Sequence, residues 1–158
     1  MHSEMRLRIA LLAALALGAS AAEPLRFAHL DGESVELALA EEDRALLVHF
    51  WATWCPSCVE ELAHLDRAAA SCRERGVTVV AVNVGEEAEV VRRYWTEHGL
   101  GLEALRDPKG RIWRRVSGIG LPANLVWTGA GRRTDVGPRD MAGWEEELAA
   151  LGCAAPAP

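Results

Sequence analysis

Phe50-Trp51-Ala52-Thr53-Trp54-Cys55-Pro56-Ser57-Cys58 is the stretch on which the fold turns. It closes an apolar run that starts at Ala45 and is broken only by His49, the pattern of a central strand buried on both faces. It also opens a helix. Apolar residues recur at Cys58, Leu62, Leu65, Ala69 and Cys72, in alternating steps of four and three, which is one helical face. This predicts one helix from Pro56 to the basic end Arg73-Glu74-Arg75, stopped by Gly76.

On the C-terminal side, the β-branched run Val77 to Val84 reads as a strand and Glu86 to His98 as a second helix, closed by Gly99. A short strand is expected over Leu102 to Leu105. The turn Asp107-Pro108-Lys109-Gly110 then leads to a short helix from Arg111 to Val116. Ala123 to Thr128 and Arg132 to Val136 read as strands around Gly129-Ala130-Gly131. Asp140 is a good N-cap for a last helix reaching Leu151, with Met141, Trp144, Leu148 and Leu151 as its buried stripe. On the N-terminal side, Leu25 to Leu30 and Ser34 to Leu37 flank Asp31-Gly32, a hairpin signal. Alternating β and α elements that end in an antiparallel hairpin argue for an α/β sandwich. Its mixed central sheet is flanked by helices and carries an N-terminal β-hairpin, in one domain over residues 23–158.

Half of the 158 residues are hydrophobic and a quarter are charged, an ordinary globular balance. The first 22 residues stand apart. Arg6 and Arg8 precede the apolar run Ile9 to Ala19, and small residues Ser20-Ala21-Ala22 follow before charge returns at Glu23. That order is a secretory signal peptide cut after Ala21 or Ala22. An uncleaved anchor is the alternative, but the uncharged run between Arg8 and Glu23 is shorter than the roughly 18 residues that spanning favours. No cysteine stands at the cut, which argues against a lipoprotein. The net charge of −6 and the scattered arginine pairs Arg92-Arg93, Arg114-Arg115 and Arg132-Arg133 leave no basic footprint for nucleic acid.

Export changes the meaning of the four cysteines, because disulfides persist outside the cytosol. Cys55-Pro56-Ser57-Cys58 at a helix start suits thiol–disulfide exchange. Backbone N–H groups and the helix dipole stabilise a thiolate at the first cysteine. Pro56 fits the first helical position, where its missing N–H costs nothing. In this reading Cys55 attacks a substrate disulfide and Cys58, on the inward stripe, resolves the mixed disulfide, so Cys55 is the more exposed of the two. Half of a zinc site is a weaker reading, since Cys72 and Cys153 form no second Cys-x-x-Cys. A static disulfide is weaker too, because a helix-starting loop is a poor place for one.

The segment Phe50 to Cys58 resembles the active-site segment of the thioredoxin superfamily, and more narrowly that of the TlpA/ResA/CcmG-like exported thiol–disulfide oxidoreductases. Val79-Val80-Ala81-Val82-Asn83-Val84-Gly85-Glu86 is similar to that family's strand and turn after the first helix. Gly118-Ile119-Gly120-Leu121-Pro122 resembles its cis-proline loop, and Val136-Gly137-Pro138 fits before the last helix. The resemblance implies a thioredoxin fold, no cofactor beyond the Cys55–Cys58 disulfide, and no metal. It implies a cis Leu121–Pro122 bond and a substrate-binding surface at Trp54, Pro56, Leu121 and Pro122. It gives Glu86 a place near the cysteines, where it tunes their pKa values. His49 stands where thioredoxins carry a buried aspartate, and is read either as a hydrogen-bonded core residue or as a group tuning or relaying the resolving proton. The family usually has two threonines after the proline, whereas this chain has Ala123 and Asn124. In a thioredoxin fold the helices ending near Cys72 and Cys153 run parallel on one sheet face, which implies a structural Cys72–Cys153 disulfide.

The function implied is a periplasmic reductase of client disulfides, with apocytochrome c the favoured client and a membrane electron donor of the DsbD/CcdA type. A disulfide-donating oxidase uses the same residues. A copper-binding assembly factor of the Sco-like type needs Cys-x-x-x-Cys and a distal histidine, but the spacing here is two residues and no histidine follows His98. A thiol peroxidase needs an upstream Pro and Thr arrangement that this chain lacks.

Overall fold

The computed structural model describes residues 23–153, so the expected signal peptide at residues 1–22 lies outside the described residues, as do residues 154–158. A seven-stranded mixed sheet runs in the order β2-β1-β5-β4-β3-β6-β7. In chain order the strands are β1 (Leu25–Ala28), β2 (Ser34–Leu37), β3 (Ala45–Trp51), β4 (Val77–Val84), β5 (Glu103–Asp107), β6 (Ala123–Thr128) and β7 (Gly131–Val136). The helices are α1 (Pro56–Ala68), α2 (Ala88–His98), α3 (Arg111–Val116) and α4 (Met141–Ala150). β3 lies at the centre, parallel to β4 and antiparallel to β6. All seven of its residues are buried.

Alternation along β3 sorts its side chains between the two faces. Leu46, Val48 and Phe50 pack with Val80, Val82, Leu125 and the β1 residues Leu25 and Phe27, under Ile112 and Trp113 of α3. Ala45 and Leu47 pack against Leu65 and Ala68 of α1 and Trp144 and Leu148 of α4. Trp51 packs with Cys58 and Leu62 of α1 and with Val91, Tyr94 and Trp95 of α2. Helices α1, α2 and α4 therefore cover one face and α3 the other, the thioredoxin arrangement.

Strand β1 ends at Ala28 rather than at Leu30, strand β5 spans Glu103–Asp107 rather than Leu102 to Leu105, and two helices depart from the expected boundaries. The first helix ends at Ala68 rather than at Arg75, and a short 3-10 turn at Arg73–Arg75 follows. The pattern misleads because three-residue turns take over, Cys72 N–H to Ala69 C=O and Arg75 N–H to Cys72 C=O. A step of three, from Ala69 to Cys72, keeps the side chain inward in either kind of turn. Helix α2 starts at Ala88, not Glu86, with Glu87 at its N-cap. The Glu86 side chain is engaged with Thr53 and Asn83. Asp107 caps the short α3 by accepting the N–H groups of Arg111 and Trp113, both at 2.9 Å.

Cys72 and Cys153 are joined by a disulfide with a Cα separation of 4.9 Å. It ties the chain just past α1 to the chain just past α4, and both cysteines are buried beside Leu65, Trp144 and Leu148. The bond lies at the far end of α1 from Cys55.

Candidate active site

Cys55 is the N-cap of α1 and Pro56 opens the helix. The Cys55 Sγ accepts the backbone N–H of Cys58 at 3.3 Å and has the Ser57 hydroxyl at 3.6 Å. Cys55 and Cys58 form a disulfide with a Cα separation of 5.2 Å. On reduction, the Cys55 sulfur stands where helix N–H groups favour an anion. Cys55 keeps 7% of its surface exposed and Cys58 none. Trp54 is two-thirds exposed and forms an apolar shoulder beside the pair. Leu121 packs against the cluster that holds both cysteines. The Leu121–Pro122 bond is cis, and the Pro122 carbonyl accepts the Gly137 N–H at 3.0 Å.

Glu86 holds the loop in front of the cysteines. Its carboxylate accepts the Thr53 backbone N–H at 2.8 Å, the Thr53 hydroxyl, and the Asn83 side-chain amide at 2.6 Å. It thus anchors the residue two places before Cys55.

His49 is fully buried, with its Nδ1 2.8 Å from Asn124 Oδ1 and its ring edge-on to Trp144. Burial pulls its pKa down to about 4, against the opposing pull of the Asn124 hydrogen bond. The imidazole is neutral at pH 7.

Sequence reasoning did not single out Glu61. It is only 1% exposed, lies one turn beyond Cys58 on α1, and neither carboxyl oxygen has a hydrogen bond of normal geometry. Burial pushes its carboxyl up to about 7, while the backbone N–H and charge of Arg139 pull the other way. Glu61 lines a groove of about 560 Å³ between α1 and the start of α4, with Ser57, His64, Pro138, Arg139 and Asp140. The signal in the sequence was its helical phase, since position 61 falls on the inward stripe between Cys58 and Leu65.

The model of the AhpC/TSA family matches residues 19–130. The chain belongs to the AhpC/TSA family. Within the thioredoxin superfamily, this AhpC/TSA member is similar to the thiol-disulfide oxidoreductase ResA of Halalkalibacterium halodurans. The two share 35% identity over 78 residues, 49% of this chain and 44% of that protein. It is also similar to the thiol:disulfide interchange protein DsbE of Allochromatium vinosum, at 34% identity over 65% of this chain and 56% of the relative. The match thus spans about half the length of these curated relatives. A thioredoxin-family thiol:disulfide interchange protein from Chlorobium tepidum has the same fold. Its TM-score is 0.69 at 24% identity, covering 82% of this chain and 94% of that one.

Proposed function

We propose that this AhpC/TSA-family protein is an exported thiol–disulfide oxidoreductase that reduces client disulfides in the periplasm. The observation that carries the reading is the Cys55–Cys58 pair itself. One sulfur sits at a helix N-terminus and the other is fully enclosed behind it. The Cys55 thiolate attacks a client disulfide, forms a mixed disulfide and expels the client's second sulfur as a thiolate. The Cys58 thiolate then attacks Cys55 Sγ, the Cys55–client bond breaks, and two electrons have passed to the client. Trp54, Pro56, Leu121 and Pro122 form the surface on which the client chain lies. Glu86 fixes the approach loop, and Glu61, poised near neutral pH, exchanges protons between the interior and the groove. The Cys72–Cys153 disulfide is structural.

The favoured client is apocytochrome c, whose Cys-x-x-Cys-His must be reduced before haem attaches. The electron source is a membrane thiol transporter of the DsbD/CcdA type. The names of the similar ResA and DsbE proteins support the oxidoreductase class, and the basic-apolar-small leader supports export. The test is reduction of an oxidised Cys-x-x-Cys-His peptide by the pre-reduced protein. Stoichiometric loss of the peptide disulfide is expected. Failure to reduce it, with rapid oxidation of the reduced peptide by the disulfide form, would make the protein an oxidase.

A further inference from the structure

Cations that stand far apart in the sequence meet on the α3 face of the sheet. Arg26 of β1, Lys109 in the turn before α3 and Arg111 of α3 line one groove with Ile112. Arg26, Ile112 and Arg115 line the next, with Glu23 and Pro24. Arg114 donates back to the Lys109 carbonyl at 2.5 Å. Arg132 of β7 lies over the Trp127 ring. Burial, and then the like charge of Arg115, pull its pKa below the ordinary arginine value. Among the described residues, Glu36, Glu23 and Asp107 are the acidic groups set against these cations. Glu36 pairs with Arg26 at 2.6 Å and Glu23 with Arg115 at 3.8 Å, and both pairs are largely exposed, where an ion pair contributes little. Asp107 is buried and its carboxylate is taken up by the N–H groups of α3. The patch is therefore positive on a chain whose net charge is −6.

Two observations say what this patch meets. The cations are spread along two open grooves rather than converged on one point, so they suit a surface of separate phosphates better than one small anion. Glu23, where residues 1–22 join the described domain, is held in the patch, with its carbonyl accepting from Arg132. The apolar run Ile9 to Ala19 lies in that joining segment. A leader of this composition engages a lipid bilayer during export, which brings the surface at Glu23 to the headgroups.

We infer that the α3 face is a membrane-docking surface, which binds the headgroup phosphates of anionic lipid through Arg26, Lys109, Arg111, Arg115 and the arginines beside them. Each such cation close to an anionic bilayer strengthens binding several-fold, and the attraction falls off within a Debye length. Helix α1 and the cysteine pair pack on the opposite face of the sheet, so docking leaves Cys55 uncovered. The inference is independent of the client and of the direction of electron flow.

Flotation of the full-length protein with vesicles of phosphatidylglycerol and phosphatidylcholine in equal parts tests this. Binding should exceed that to pure phosphatidylcholine and fall in about 0.5 M salt, which screens charges more than a few Å apart. Arg111→Glu/Arg115→Glu should bind the mixed vesicles more weakly, by on the order of tenfold or more. Arg73→Glu/Arg75→Glu makes the same charge change in the 3-10 turn past α1 and should bind as wild type does. Both variants keep Arg6, Arg8 and the apolar leader, so a difference between them belongs to the folded domain. Equal losses in the two variants, or no loss in either, overturn the inference. So does binding to poly-glutamate without binding to the vesicles, which would make the partner an acidic polypeptide. If the charge reversal does not fold, Lys109→Gln/Arg111→Gln takes its place. A several-fold loss is then expected, and an unchanged affinity overturns the docking role.

Discussion

Cys58 and Glu61 lie three residues apart on α1 and are both buried beneath the same stretch of helix, so the resolving sulfur has a carboxyl as its neighbour one turn on. That carboxyl carries a cost. Its folded pKa is raised to about 7 from an ordinary 4.5, so the unfolded chain ionises first as pH rises. Between those values the folded state holds more protons, and Glu61 lowers stability progressively with pH up to about 7. Glu61→Gln should therefore melt higher than wild type at pH 8–9, with the gap closing toward pH 4.5. Calorimetry across that range is the check. A gap that widens toward acid would contradict the burial account.

His49 works in the opposite sense. Its folded pKa of about 4 lies below the ordinary 6.5, so the unfolded chain takes up the proton first as pH falls. Stability is lost as pH drops from about 6.5 to about 4, by ~3 kcal/mol for a shift of this size. His49→Asn should flatten that acid limb in urea titrations. An acid limb identical to wild type would show that the loss comes from other groups.

These two residues differ in how visible they were beforehand. His49 stands out in the sequence because it interrupts an apolar strand. Glu61 follows Glu60 in a helix with charges on its outer side, and only its phase marks it as inward. Elements whose boundaries follow apolar pattern or punctuation, such as β3, α3 and β6, matched their expected spans. The start of α2 did not. Glu86 has adequate helix propensity, but Thr53, distant in sequence, claims its carboxylate. The network Arg139–Asp135–Asn124–His49 joins four segments, and no local pattern announces such a chain.

The Cys72–Cys153 disulfide spans 81 residues, so its removal frees a long loop in the unfolded state. The chain-entropy estimate for a loop of that size is about 4.5 kcal/mol. The double variant Cys72→Ala/Cys153→Ala should lose roughly that much stability in denaturant titrations while still exchanging disulfides through Cys55. Loss of exchange in a variant that remains folded would show that the two bonds are coupled.

The roles of the two active-site sulfurs separate by trapping. Cys58→Ser should accumulate a mixed disulfide with an oxidised Cys-x-x-Cys-His peptide, because the attacking thiol remains and the resolving one is gone. Cys55→Ser should trap little, since Cys58 has no exposed surface. Mass spectrometry of the non-reduced proteins reads both, and equal trapping by the two variants would contradict the assigned order of attack.

The reduction potential of the Cys55–Cys58 pair tests the central claim most directly. Equilibration of the full protein against a series of dithiol/disulfide buffers yields it. A reductase supplied with electrons from the membrane should lie near the thioredoxin value of about −270 mV. A value near the about −120 mV of a strong oxidant such as DsbA would contradict the reductase assignment and make the protein a disulfide donor.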